Sequence, residues 1–165
     1  MLGTRFVSVL DRLIGRTLVV GRYLALPIAM LLFLQWPLRD FLHAYSREAN
    51  DVGQWLFAFY VAMAVTAATR AGTHLATDAM ARRYPASIRM MLSRLGAGVG
   101  VIPWALFVAA AGKSIVLASI SGLEAFPDTA NPGYFLIKIA LWILAGLMLA
   151  QGFVDVFRDR GERHV

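Results

Sequence analysis

The chain has 165 residues, 59% of them hydrophobic and 16% charged, with a formal net charge of +6 and no cysteine. A soluble domain of this size runs ~45–50% apolar and ~25% charged, so the composition points to a membrane protein. Its length holds four spans of ~20 residues with connectors and no soluble catalytic domain; the missing cysteine excludes disulfides, thiolate metal sites and cysteine nucleophiles.

Residues 2–17 place Leu2, Phe6, Val9, Leu10, Leu13 and Ile14 on one helical stripe, with Arg5, Ser8, Asp11, Arg12 and Arg16 opposite. The periodicity predicts an amphipathic helix lying on the inner leaflet, its arginines among anionic phospholipid headgroups. The alternative is a plain extension of the first span. Four stretches then run almost free of charge: Tyr23 to Leu38, Val52 to Thr69, Leu95 to Gly112, and Asn131 to Val154 with Lys138 inside it. With flanking residues they predict spans at about 20–38, 52–71, 93–113 and 132–154, so that residues 1–165 form a single all-α, four-helix transmembrane domain. Trp36 and Trp55 suit the outer ends of the first two spans, whereas Trp104 and Trp142 fall deeper and fill packing gaps.

Basic residues set the direction. The N-terminal segment, the second connector and the tail together carry twelve arginines, counting from Arg5 to Arg163, against three basic residues, Arg39, Arg47 and Lys113, in the other two connectors. Lys and Arg in short connectors stay cytoplasmic, so both termini are expected inside. Lys113 and Lys138 then fall near the outer surface, where long stems reach headgroups. The first segment contains Pro27 and ends in Gln35-Trp36-Pro37 rather than at small residues, so an uncleaved chain is expected; the end at Val165 after Arg163-His164 argues against fusion to another chain.

Nucleotide motifs fail. Gly96-Ala97-Gly98-Val99-Gly100 is followed by Val101 where the dinucleotide fingerprint needs glycine, and Phe107 stands where a phosphate loop ending at Gly112-Lys113-Ser114 needs one. Gly96 with Gly100, Gly146 with Ala150, and Ala58 with Ala62 are instead small-xxx-small pairs that let helices approach closely. In the second connector His74 and Asp78 stand at i and i+4, which on a helix lets them share a hydrogen bond. A relay or half a metal site could be built so, but the other histidines, His43 and His164, are remote in the expected topology, and a structural cap or partner contact is the preferred reading. A bis-histidine haem fails because His43 and His74 belong to opposite membrane faces. No metal, cofactor or nucleic acid is expected.

None of the four spans holds Asp, Glu or His. Proton- and cation-coupled carriers usually keep such groups within the membrane, so the chain is expected to move nothing by itself and not to be an enzyme. Sodium held by carbonyls of helices broken at Pro27 and Pro103 is the exception considered.

The stretch Glu48-Ala-Asn-Asp-Val-Gly-Gln-Trp55, followed by Arg70-Ala-Gly-Thr-His74-Leu-Ala-Thr-Asp78, resembles the small membrane subunit of tripartite ATP-independent periplasmic (TRAP) transporters, the DctQ-like proteins. That family has a Glu before the second helix, then an Arg, Gly, His and Asp after it. Asn131 to Lys138 departs from its commonest form. The resemblance implies a bacterial inner-membrane subunit that pairs with a large DctM-like membrane subunit. That partner carries a carboxylate-type solute together with sodium, and a periplasmic binding protein delivers the solute. The small subunit would widen and anchor the scaffold against which the transport domain moves. Glu48, Arg70, His74 and Asp78 are carried across as structural or interface groups, Glu48 as a cap on the second span and Arg70 reaching phosphates; Gly96 and Gly100 join them as packing positions. Glu124 and Asp128 could touch the delivering protein, a solvated loop being the plainer reading. The alternative function is a self-sufficient four-helix carrier or channel that dimerises through its small-residue faces.

Overall fold

The computed structural model describes residues 2–44, 46–71 and 84–157. A backbone in hydrocarbon must satisfy its own N–H and C=O groups, and the apolar stretches do so as helices: α1 (Leu2–Tyr23), α2 (Ala25–Leu42), α3 (Arg47–Ala71), α4 (Ala86–Leu95), a π-helical turn (Gly96–Val101), α5 (Ile102–Ser121) and α6 (Tyr134–Phe157). Four of the resulting segments are long and apolar enough to cross a membrane: Arg5–Leu42, Arg47–Ala71, Ser87–Ser121 and Tyr134–Phe157. No strand occurs among the described residues; Ala125 and Pro132 form an isolated antiparallel bridge.

Prolines explain the interruptions. Pro27 has no N–H and its ring crowds the carbonyl of Tyr23, so the helix pauses at Leu24 and restarts. Pro103 cannot supply the donor that Val99 O needs, and just before it the glycine-rich Gly96–Val101 widens into the π turn, where the Ile102 N–H bonds Ala97 O. α4, the π turn and α5 therefore form one rod from Ala86 to Ser121, well beyond the expected 93–113. α2 ends in a left-handed turn at His43 (φ 50°), with the Ala44 N–H bonded to Leu38 O at 2.9 Å.

The spanning helices pack as a row, in the order α2, α3, α6, α5, and among the described residues its two ends do not close into a bundle. Among the described residues α6 is the hub and touches α1, α3, α4, the π turn and α5, whereas α2 packs chiefly on α3 and less on α1. Small residues make the close approaches. Gly152 of α6 sits against Val101 and Ile102, where an added Cβ would lie 2.9 Å from Ile102 Cγ1, and Gly21 of α1 sits against Met63 of α3. α1 also buries Ile14 and Leu18 with Val154, Met63, Ala67 and Ala150. Of its expected apolar stripe, Ile14 turns inward with Leu10 packed beside it, while Phe6, Val9 and Leu13 stay exposed.

Candidate functional site

Two polar clamps hold the row, one at each end of the helices. At the end where α3 begins, Ser46 caps the helix: its Oγ accepts the Ala49 N–H at 3.1 Å and donates to Glu48 Oε2 at 3.1 Å. The carboxylate that ties elements together is the next one along, Asp51. It is 4% exposed, and its Oδ2 accepts from Thr129 Oγ1 at 2.6 Å and Asn131 Nδ2 at 3.4 Å, both in the α5–α6 loop. The same loop buries Phe126 between the rings of Trp55 (5.9 Å) and Tyr134 (5.4 Å, edge-on). Trp55 in turn lies on Gly133, whose φ of 133° and contact with the indole, 2.3 Å from Cζ2 to an added Cβ, admit no side chain. Lys138 pairs with Glu124, which also accepts from the Ser119 hydroxyl. That ammonium first, then the hydroxyl, hold the Glu124 carboxyl below its ordinary value of 4.5. Lys138 is thus an internal partner, not the headgroup anchor its sequence position implied. Backbone bonds from Phe126 N to Asn131 O and Gly133 N to Glu124 O complete a stiff lid over the row.

At the other end Arg70 closes α3. Its Nη1 meets Asp11 Oδ1 of α1 at 2.8 Å and Gln151 Oε1 of α6 at 3.3 Å, and Gln151 Nε2 donates to Asp155 at 3.0 Å. Gln151 is fully buried. Arg70, carried across from the sequence as a structural or interface group, locks three helices of its own chain. It lies 19 positions beyond Asp51, about 28 Å of α-helix, so the clamps stand one hydrocarbon thickness apart.

The remaining expected positions divide. His74 and Asp78 lie outside the described residues. Gly96 and Gly100 are exposed and, among the described residues, have no neighbour within 4 Å of an added Cβ, so neither packs against a described helix. The rod's inward face is set by Ala105, Gly112, Val116 and Ser119, and Ala97 continues it; both glycines look the other way. Trp142 does pack, its indole against Gly112, while Trp104 is 44% exposed. Asp51, Thr129, Asn131, Gln151 and the Asp11–Arg70 pairing were not picked out from the sequence. A lone amide in the apolar run of the fourth span was the one available signal.

The chain matches a family model described as tripartite ATP-independent periplasmic transporters, DctQ component, over residues 19–161. Neither the curated proteins nor the solved structures give a match.

Proposed function

The chain belongs to the DctQ family of TRAP transporter components, and from that premise we propose that it is the small membrane subunit that anchors and widens the scaffold of a sodium-coupled importer of a carboxylate-type organic solute. The transport path belongs to a large DctM-like membrane subunit, and a periplasmic binding protein delivers the solute. The observation that carries this reading is the open row. A carrier encloses a path between its helices, whereas here α2 and α5 leave the two edges of the row broadly apolar and unpartnered among the described residues, with Phe33, Leu32, Phe107 and Leu106 all more than half exposed. The polar groups at both ends are engaged in holding helices together rather than in lining a passage.

The excess of arginine at Arg5, Arg12 and Arg16, in the second connector and in the tail supports an orientation with both termini cytoplasmic in a bacterial inner membrane. The first half of α1, carrying Arg5, Arg12 and Arg16 on its exposed side, would rest among inner-leaflet phospholipids. His74 and Asp78 are proposed as contacts to the partner, and the open faces of Gly96 and Gly100 as places where a foreign helix can come close. Reconstitution tests the reading: liposomes holding this chain with the large subunit, supplied with the binding protein and a sodium gradient, are expected to accumulate solute. The chain alone is expected to give no flux, and flux without a partner would overturn the proposal in favour of a self-sufficient dimeric carrier.

A further inference from the structure

α1 carries an arginine that has no counter-charge among the described residues. Arg22 is exposed and makes no hydrogen bond or ion pair among the described residues. It borders a cleft of about 220 Å³ between α1 and α3, walled by Gly21, Tyr60, Met63, Ala64 and Ala67. Its depth follows from these neighbours. Tyr60 and Ala64 lie ten and six positions before Arg70, about 9–15 Å of helix away from the inner clamp. That places Arg22 within a ~30 Å hydrocarbon layer. An ionised side chain at such depth is unfavourable unless it faces a partner, and phospholipid phosphates sit at the layer's boundary, not inside it. Ala64 and Ala67 keep the α3 wall of the cleft low, which lets another helix approach closely, and Tyr60 lines the same cleft.

We infer that Arg22 and this cleft receive an Asp or Glu side chain from a transmembrane helix of the large membrane subunit, forming an intermolecular ion pair at membrane depth. The inference rests on the reading of this chain as the small membrane subunit. Arg22 then fixes the register of docking, because a guanidinium and a carboxylate in low dielectric attract strongly and tolerate little displacement.

The test uses the co-expressed complex of both membrane subunits. A photo-crosslinking residue at Tyr60 is expected to join the two subunits. Arg22→Gln and Arg22→Glu are expected to lower recovered complex about tenfold, with Arg22→Lys close to wild type and Arg22→Glu rescued by an acid-to-Lys change at the crosslinked site. Melting of each isolated variant reports whether it folds, and the Tyr60 crosslink in the wild-type background decides the matter if Arg22→Gln does not. Crosslinks to lipid alone, or undiminished complex with Arg22→Glu, would overturn the inference while leaving the small-subunit reading intact. Failure of the wild-type chain to recover a large subunit would remove that reading as well.

Discussion

Asp51 shows how a boundary charge becomes a structural centre. In the sequence it is one of several acids in a short outer connector, and Glu48, three positions earlier, matches the family pattern. The structure leaves Glu48 in its local cap with Ser46 and buries Asp51 under Thr129 and Asn131. Asp51→Ala would strand a hydroxyl and an amide and is expected to cost about 1–3 kcal/mol, read as a lowered melting temperature of the isolated chain in detergent; an unchanged melt would mean the loop is held without it. Glu124 gives a pH signature. Its carboxyl is held below 4.5 in the folded chain by Lys138 and Ser119, so the pairing contributes fully above the unfolded carboxyl range and is lost as pH falls through the lowered folded value. Wild-type stability is expected to drop on acidification below about pH 4.5, and Glu124→Gln to flatten that part of the profile. Parallel profiles for the two would show that the pair is not stabilising.

At the level of elements, glycines that look alike in sequence differ in what surrounds them. Gly133 is a loop glycine with a backbone few L residues adopt and an indole against its Cα, while Gly96 and Gly100 stand in the widened turn with open space beside them. Gly133→Ala is therefore expected to destabilise the isolated chain and disturb Trp55 fluorescence. Gly96→Ala is expected to leave Trp55 fluorescence unchanged and to raise stability slightly, since an added Cβ meets nothing and a helical Ala is ~0.5–1 kcal/mol better than Gly. The opposite ranking would refute the packing described here. Small-xxx-small spacing identifies a face capable of close approach; it does not choose the neighbour. Pro103 is a candidate break in the third span; the glycine-rich run before it, in sequence only a packing pair, forms instead a π turn that carries the rod from Ala86 to Ser121 without a break.

For the whole molecule, an open row with α6 as hub makes a prediction about protection. α6 is packed on two sides, by α3 and α5, and touches α1 as well, whereas α2 has a neighbour along one side only. Amide exchange in detergent is expected to be slowest in the middle of α6 and faster in α2, because local opening tracks the contacts that must be broken; equal protection in all four would indicate a closed bundle in solution. Such a row has two long apolar edges, the geometry of a part that extends something else.

The class and number of spans were legible because burying a backbone in hydrocarbon leaves a run of ~20 apolar residues no alternative to helix, and this local demand is written in each stretch separately. The family, too, was carried by short motifs at the ends of α3. Which helices touch, that Asp11 meets Arg70, and that Lys138 turns to Glu124 could be decided only by the tertiary structure. A lipid-facing surface and a helix-facing surface are equally apolar, so hydrophobic periodicity loses its power to tell inside from outside, and partners 59 or 14 positions apart are brought together only when the row assembles.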